Sequence, residues 1–432
     1  AARRARSRGG CALTYAPPFG RRVVVTGLGA VTPLGSTVRD FWDGLVNGRS
    51  GIGRITLFDP SPFEVQIAGE ARDFHPEEVI PGKELRRMDR NAQFAVVAAT
   101  QAVADAGLVI DDSNRYDVGV IFGSAGGGYE TLLANQEAFA EKGWRRVSPF
   151  LIAHMLPDAA SGHIAIALGA SGPNFCVASA CASGTGSVGE AWETIRRGDC
   201  EAVIAGATDA PILPVIHAGF HALRALANDP EHPERACRPF DLNRTGFVVG
   251  EGAGALVLES LDHALRRGAR IYAEVCGYGT SADAHDMVAA HESGEPAAHA
   301  MKLALKKGGV DPTEVDYINA HGTGTPLNDR VETLAIKLAF GEHARRLAVS
   351  STKSMTGHLM GAAGAIESVA CVLAVYHDLM PPTINYETPD PECDLDYVPN
   401  VARHARVRAA LCNNVGLGGH NAAVIFRKYE GG

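Results

Sequence analysis

Cys181 is the residue whose setting most favours covalent chemistry. It ends the run Asn-Phe-Cys-Val-Ala-Ser-Ala-Cys (174–181), and small residues and a predicted amphipathic helix over 189–197 follow it. A thiol at the N-terminal end of a helix lies near unpaired N–H groups and the positive end of the helix dipole, which lowers its pKa toward the thiolate. The segment therefore predicts a nucleophile. Taken alone, it leaves an inert buried cysteine as the alternative.

His321 lies in the segment Asn-Ala-His-Gly-Thr-Gly-Thr-Pro (319–326), directly after a predicted strand. Loops at strand ends are where α/β folds place catalytic groups. Thr323 and Thr325 add two hydroxyls that suit an amide-bearing ligand. Because histidine also serves in ordinary turns, a structural histidine with satisfied hydrogen bonds is the alternative here.

A second histidine segment, 350–367, leaves another predicted strand and carries Lys353 and His358 before a small-residue helix with Glu367. Lysine is seldom buried without a partner, so we expect Lys353 and Glu367 to form an internal ion pair. The glycine-rich segment 413–421 is predicted as a loop that serves as a gate or as a wall of an oxyanion hole. An ordinary glycine-rich turn is the alternative for that segment.

Together, one cysteine and two histidines in separate strand-end segments favour acyl transfer through a thioester. The cysteine would hold the acyl group, and the histidines would act on a second substrate.

Composition narrows the class of protein. The chain has 432 residues, 46% of them hydrophobic and 21% charged, which indicates a globular protein larger than one ordinary domain. A net charge of −9 argues against nucleic-acid binding, and we expect no membrane span because no apolar run reaches the required length.

The cysteines and the N-terminus bear on the compartment. Nine scattered cysteines without a zinc spacing predict a reduced, cytoplasmic protein. Residues 1–20 contain four arginines and no acid, and predict a disordered extension. If that extension is the remnant of a transit peptide, an organelle stroma or matrix is the alternative compartment.

Strands alternate with helices in two successive rounds, which predicts an α/β fold with two duplicated halves, 21–268 and 269–430. Predicted strands of the first round lie at 21–29, 118–122, 202–207 and 252–259, and helices at 41–46, 90–105 and 261–267. Predicted strands of the second round lie at 270–279, 317–320, 348–351 and 422–426, and helices at 297–307, 331–340 and 364–376.

From about residue 21 to 428 the chain resembles the β-ketoacyl-acyl-carrier-protein synthases of the I/II type, elongating condensing enzymes of the thiolase-like superfamily. The motifs that carry the resemblance lie at 24–35, 179–184, 238–241 with 246–254, 319–326 and 351–358. The resemblance implies a five-layered αβαβα sandwich made of two pseudo-duplicated halves, and a homodimer. Two histidines, with no cysteine in 415–421, set the chain apart from the initiating type III synthases and from the thiolases.

The resemblance implies a decarboxylative Claisen condensation in fatty acid biosynthesis. Cys181 would take an acyl chain from acyl carrier protein, with the oxyanion stabilised by the backbone N–H groups of Cys181 and Leu417. His321 and His358 would promote decarboxylation of the malonyl thioester, and the product would be a β-ketoacyl chain two carbons longer. The reaction implied requires no metal, nucleotide or resident cofactor, because phosphopantetheine arrives on the carrier protein.

The resemblance assigns further roles around these three residues. Lys353 would be a fourth catalytic residue, supported by Glu367, Asp329 and Glu332. Thr323 and Thr325 would bind the pantetheine arm, and Val415 and Leu417 would form the gate. Lys83, Arg86 and Arg87 would dock the carrier protein. A solvated helix start is the alternative for the last group.

Two departures from the family pattern bear on the acyl chain. Val415-Gly-Leu417 replaces the Phe-Gly-Phe of the gating loop, and the segment 122–128 has glycine where many type II enzymes carry a bulky residue. Both predict a looser or wider acyl pocket and leave chain length open. They also leave open a ketosynthase of a dissociated polyketide pathway, which could be heterodimeric. A non-catalytic chain-length subunit is a further alternative, although the cysteine and both histidines count against it.

Overall fold

The structure, a computed structural model, describes residues 20–431. The arginine-rich segment predicted as disordered therefore lies outside the described residues, except for its last glycine. Elements up to residue 266 are β1 (Val23–Val31), α1 (Val38–Val46), β2 (Ile52–Arg54), β3 (Ile67–Gly69), α2 (Gly82–Leu85), α3 (Arg90–Ala106), β4 (Val118–Gly123), α4 (Tyr129–Lys142), α5 (Leu151–Met155), α6 (Ala159–Leu168), β5 (Asn174–Phe175), α7 (Ser183–Arg197), β6 (Ala202–Asp209), α8 (Pro214–Ala222), β7 (Gly252–Ser260) and α9 (Leu261–Arg266).

The remaining elements begin at residue 273. They are β8 (Ala273–Ala282), α10 (Glu295–Gly308), β9 (Val315–Asn319), α11 (Pro326–Phe340), β10 (Ala348–Ser350), α12 (Lys353–Thr356), α13 (Ala363–His377), β11 (Leu379–Met380), β12 (Arg403–His404), β13 (Ala409–Gly416) and β14 (His420–Arg427).

The main sheet repeats one topology. Its strands run β10-β9-β13-β14-β8-β1-β7-β6-β4-β5. Each round contributes five strands to the sheet. From the middle of the sheet to its edge, they follow the same order in both rounds: first, fifth, fourth, second and third. The two rounds meet where Val23–Val25 of β1 pair antiparallel with Ala273–Val275 of β8. A shared strand order of this kind is what a duplicated fold would leave.

The helices and the two halves of the sheet stack in five layers. Helices α3 and α6 cover the outer face of the first round, and α10 covers that of the second, with α11 packed against α10. Helices α7 and α13 pack against each other and against strands of both rounds, so they form the central layer. The αβαβα sandwich expected from the family resemblance is therefore confirmed.

The central helices fit that layer because the residues they bury are mostly small or apolar. Residues 363–375 of α13 are all buried, as expected of a helix enclosed on every side. In α7, Gly184 allows the close approach, since a Cβ there would lie 2.3 Å from the backbone nitrogen of Ala365. This contact brings the start of α7, which follows Cys181, next to the segment that carries His358.

One sequence-based expectation about apolar runs needs correction. The stretch Met360–His377 has 18 residues with a mean hydropathy of 1.4, enough to cross a membrane by length and composition alone. Within the fold, however, 89% of it is buried. It is a core helix between the two halves of the main sheet.

The segment 413–421, predicted as a loop, is mostly a β-hairpin. Residues up to Gly416 pair with β14, which leaves only 417–419 as the turn. Consecutive asparagines favour loops, yet Asn413 and Asn414 are fully buried in β13. Their amide nitrogens donate there to the carboxylates of Glu332 and Glu367. Pattern reasoning also missed helices α4, α5, α6 and α8.

Candidate active site

Cys181 lies on a strained turn two residues before α7. The preceding Ala180 has a left-handed φ of 49°, which is uncommon for a residue with a side chain. Ser183 holds the turn, because its Oγ donates to the Ala180 carbonyl at 2.7 Å and accepts from the Ser179 N–H at 2.9 Å. The helix thus begins at Ser183, earlier than the sequence predicted, and Cys181 stands at its N-terminal end.

The Cys181 thiol is protonated at rest but has a base beside it. Burial raises the pKa of Cys181 to about 11, against the charge of Lys353 and the N–H groups of Leu417 and Cys181 itself. The expected lowering toward the thiolate is therefore wrong for the resting site, because desolvation outweighs these contributions. His358 Nε2 lies 3.1 Å from Cys181 Sγ, within reach of its proton.

The two histidines are buried and neutral. Burial lowers the pKa of His321 and of His358 well below the usual value, and the charge of Lys353 lowers both further. Their ring centroids lie 5.2 Å apart with the planes at 85°. A neutral imidazole donates an N–H from one nitrogen and accepts at the other. Two such rings beside one thiol can each serve as donor or acceptor to a thioester.

Lys353 and Glu367 form the buried ion pair that the sequence predicted. Their side chains are only 1% and 2% exposed. The second carboxylate oxygen of Glu367 accepts from Asn414 Nδ2 at 2.7 Å. The same amide nitrogen lies 3.1 Å from His321 Nδ1. The positive charge is thus connected to the His321 ring through two hydrogen-bonded side chains.

Glu332 and Asp329 hold the backbone of the His321 loop. Glu332 accepts from the N–H groups of His321 and Gly322, both at 2.7 Å. Asp329 accepts from the Gly324 N–H at 3.1 Å. Burial raises the pKa of Glu332 to about 7 despite these bonds. Their contacts are with the loop that carries the histidine, which fits a supporting role.

A cavity of about 430 Å³ leads to Cys181. Both histidines line it, together with Thr323 and Thr325, whose hydroxyl oxygens are 3.0 Å apart. The rest of its wall is largely apolar. The structure therefore brings the nucleophile, the imidazoles and the two threonines to one pocket.

The tip of the β13–β14 hairpin closes one side of this cavity. Val415 and Leu417 both line it, and Leu417 is 41% exposed. Between them, Gly416 lies against the nucleophile, since a Cβ there would be 3.1 Å from the Cys181 nitrogen and 2.7 Å from the Ser179 carbonyl oxygen. This close approach explains the glycine and carries the Leu417 N–H toward the thiol.

Gly126 lies in the glycine-containing segment 122–128, for which the sequence predicts a wider pocket. A Cβ at Gly126 would lie 2.0 Å from the phenol oxygen of Tyr129, so the Tyr129 ring fills the space of the missing side chain. Asp209 fixes this loop by accepting from the Ala125 N–H at 3.0 Å, and it also accepts from the Gly361 N–H at 2.6 Å. Tyr129, rather than the glycine, bounds this space.

The basic group Lys83, Arg86 and Arg87 lies outside the cavity lining. All three side chains are exposed at the C-terminal end of α2, and Arg87 packs over the Phe150 ring at 5.1 Å. None of the three forms an ion pair with another residue of the described chain. Their charges are therefore free to meet a partner.

Sequence reasoning missed two buried residues of the site, Asn414 and Asp209. Asn414 was hidden in a segment that reads as a loop. Asp209 could have been found, because a carboxylate at the end of the apolar strand β6 must be satisfied inside the protein.

Two family models match the chain in succession. The beta-ketoacyl synthase N-terminal domain covers residues 20–264, and the beta-ketoacyl synthase C-terminal domain covers residues 272–387. Together they span most of the chain and include the cysteine and both histidines. The chain belongs to the beta-ketoacyl synthase family.

Curated relatives that share about half of their residues with this chain are 3-oxoacyl-[acyl-carrier-protein] synthases. The chain is 50% identical over 410 residues to a 3-oxoacyl-[acyl-carrier-protein] synthase 2 of Synechocystis, covering 95% of this chain and 99% of the relative. It is 49% identical, with the same coverage, to the 3-oxoacyl-[acyl-carrier-protein] synthase 2 of Staphylococcus aureus.

Solved structures share the fold over nearly the whole chain. The ishigamide ketosynthase/chain length factor matches with a TM-score of 0.88 at 40% identity, over 95% of this chain and all of that one. A ketosynthase in complex with its type II PKS acyl-carrier protein and bound to the hexaketide matches at 36% identity, with the same coverage and a TM-score of 0.87.

Proposed function

We propose that this chain is an elongating 3-oxoacyl-[acyl-carrier-protein] synthase of fatty acid biosynthesis, an acyltransferase that performs decarboxylative Claisen condensation. The observation that carries the proposal is the contact between Cys181 Sγ and His358 Nε2 at 3.1 Å, with the His321 ring beside it and a cavity leading to all three.

In the first half-reaction, Cys181 Sγ attacks the carbonyl carbon of an acyl thioester. Its proton passes to His358 Nε2 as the new carbon–sulfur bond forms, and the developing oxyanion is stabilised by the N–H groups of Cys181 and Leu417. Collapse of the intermediate breaks the old thioester bond. The pantetheine thiol leaves with the proton, and the acyl group stays on Cys181.

In the second half-reaction, the two neutral imidazoles act as hydrogen-bond donors. Malonyl thioester enters the cavity, and its thioester oxygen accepts N–H bonds from His321 and His358. As carbon dioxide leaves, the electron pair of the broken bond forms an enolate that these donors stabilise. The enolate carbon then attacks the acyl carbonyl on Cys181, the carbon–sulfur bond breaks, and the departing Cys181 thiolate takes a proton from water.

The cavity suits the arm on which both substrates arrive. Its amide groups would meet Thr323 and Thr325, while apolar walls cover the methylene segments. Phosphopantetheine thus enters as part of the carrier-protein substrate rather than as a resident cofactor.

Acyl carrier protein would dock on the basic group of Lys83, Arg86 and Arg87. These exposed cations supply a local positive surface on a chain whose net charge is −9, as an acidic partner requires. Lys83→Glu with Arg87→Glu should raise KM for carrier-bound substrates severalfold and leave KM for a small pantetheine thioester unchanged. Equal changes for both substrates would contradict this docking site.

The edge of the sheet suits a second copy of the chain. Strand β5 is the last strand of the sheet, and its residues Asn174 and Phe175 are exposed. Helix α6 packs beside it and exposes Ile166 to 81%. Because an unpaired edge is a template for pairing, we propose a homodimer through β5. Light scattering should give a dimer for the native chain and a monomer for Ile166→Asp.

We propose a reduced compartment, the cytoplasm or an organelle stroma or matrix. The observation behind it is that eight cysteines of the described chain are free thiols.

A second candidate is a ketosynthase of a dissociated polyketide pathway. The likeness to the ishigamide and hexaketide-bound ketosynthases favours it, as does the altered turn of Val415 and Leu417. The two candidates differ in which carrier proteins load Cys181. A non-catalytic chain-length subunit, possible on the fold alone, fits poorly with a nucleophile and two imidazoles in place.

The test is a two-step assay. The protein is incubated with acyl-carrier proteins bearing chains of increasing length, and the adduct on Cys181 is identified by mass spectrometry of its peptide. Malonyl-carrier protein is then added and the products are analysed. The proposal expects an acyl adduct followed by a 3-oxoacyl product two carbons longer, with Cys181→Ser as the control for adduct position. No adduct on Cys181 would overturn the catalytic assignment, and preferential loading by polyketide carrier proteins would favour the second candidate.

A further inference from the structure

Asn414 makes hydrogen bonds through every polar position of its amide. Nδ2 lies 2.7 Å from Glu367 Oε2 and 3.1 Å from His321 Nδ1. Oδ1 accepts from the hydroxyl of Thr185 on α7. The residue is fully buried, so water does not compete for these bonds.

The chemistry of the partners fixes which way the amide points. Glu367 receives the ammonium of Lys353 on its other oxygen, so it is held as a carboxylate that can only accept. The atom of Asn414 that faces it must therefore be the nitrogen. One of the two hydrogens on Nδ2 is directed to Glu367, and the other is left for His321.

This orientation determines the tautomer of His321. A nitrogen that accepts from an amide N–H carries no hydrogen itself, so Nδ1 of His321 is bare and its proton is on Nε2. The neighbouring histidine differs, because His358 Nδ1 has no hydrogen-bond partner among the described residues. His358 can therefore change tautomer between accepting a proton from Cys181 and donating to a thioester.

The ring of His321 has few other restraints. Glu332 holds its backbone N–H, not its imidazole. The T-shaped contact with His358 restricts the ring plane without selecting a tautomer. Asn414 is thus the side chain that couples the His321 ring to the ion pair.

We propose that Asn414 is a positioning residue that fixes His321 in its Nε2–H tautomer, ready to donate to the malonyl thioester oxygen. The inference rests on the proposed function, in which His321 stabilises the enolate. It assigns Asn414 to decarboxylation and condensation, and not to the loading of Cys181. Because Asn414 acts through His321, it need not touch either substrate.

The kinetic test uses Asn414→Leu, which keeps similar volume and donates no hydrogen bond. We expect the rate of Cys181 acylation, followed by intact mass, to stay within about twofold of the native rate. The kcat for condensation should fall about 100-fold, the lower end of what a positioned donor or acid contributes, with little change in KM for malonyl-carrier protein. Thr185→Val is the matched variant, because it removes a bond to the far side of the same amide, and it should cost less than about fivefold. Asn414→Ser, which retains one donor, should fall between the native enzyme and Asn414→Leu.

The second measurement does not depend on activity. In protein labelled with ¹⁵N-histidine, the His321 resonances, assigned by their loss in His321→Gln, should report a proton on Nε2 in the native enzyme. In Asn414→Asp, a carboxylate would face Nδ1 and draw the proton to that nitrogen. An unchanged tautomer, or equal losses in acylation and condensation, would overturn the proposal. A native protein with the expected tautomer but no condensation would instead count against the proposed function.

Discussion

The two sides of Cys181 are built differently. On one side, His321, Lys353 and Glu367 are joined with Asn414 by buried hydrogen bonds and an ion pair. On the other side, the Tyr129 ring fills the space beside Gly126 and the hairpin tip lines the cavity, both through packing. A buried polar network tolerates little change, because any lost partner leaves a costly unsatisfied group. Packed side chains of the pocket wall can vary in size at modest cost, so we expect chemistry to depend on the first side and chain length on the second.

Replacing the nucleophile should separate condensation from decarboxylation and has the largest expected effect. Cys181→Ala should reduce condensation to the uncatalysed background, because no acyl thioester can form. Decarboxylation of malonyl-carrier protein should persist, since the histidine side stays intact. Release of carbon dioxide and formation of 3-oxoacyl product are measured in the same reaction. If both activities vanish together in a folded variant, the histidine side does not work independently.

Removing the buried cation tests how the histidines stay neutral. The Lys353 charge lowers the pKa of both imidazoles, so in Lys353→Met both values should rise toward the ordinary one. The acidic limb of the kcat profile should then move to higher pH by as much as the pKa rises, and kcat measured on that limb should fall by up to about tenfold for each unit of the rise. Burial still lowers the pKa of both imidazoles, so the shift of the acidic limb is limited.

The same substitution leaves Glu367 without its partner, so stability needs a control. Breaking one member of a buried pair costs about 3–5 kcal/mol. Lys353→Met with Glu367→Gln avoids an uncompensated charge and should recover much of that free energy of unfolding while retaining the shifted profile. A profile that returns to that of the native enzyme in the double variant would contradict the role given to Lys353.

Substitutions on the packed side should change which acyl chain lengths the enzyme accepts, and not its rate. Tyr129→Ala removes the ring that occupies the space before Gly126, so longer acyl chains should load Cys181 and the product distribution should lengthen by two or more carbons. Tyr129→Phe keeps the ring and should leave the distribution unchanged. Competition between acyl-carrier proteins of different length gives the measurement. A shift in Tyr129→Phe would mean that the hydroxyl, not the volume, sets the limit.

The difference between the polar side and the packed side of Cys181 also explains which features could be predicted from the sequence. The position of His321 just after β9 could be predicted from its apolar pattern, and the pairing of Lys353 with Glu367 because lysine is rarely buried without a partner. The strand expected up to Cys181 is wrong, because β5 ends at Phe175. The role of Tyr129 could not be predicted, since it depends on a ring returning from α4 to cover Gly126. The pKa of Cys181 was predicted with the wrong sign, because the N-terminal end of a helix is visible in sequence and the depth of burial is not.

The smallest expected effect lies at the hairpin tip. Leu417 lines the cavity with its side chain partly exposed, while its backbone N–H faces the thiol. Leu417→Phe adds volume without removing that N–H, so kcat with a short acyl chain should stay within about twofold and KM for long chains should rise a few-fold. Leu417→Ala should have the opposite effect on long chains. Both are read from acylation rates across chain lengths. A large loss of kcat with short chains would show that the side chain helps to hold the oxyanion donor, and the boundary between the two sides would then run through residue 417.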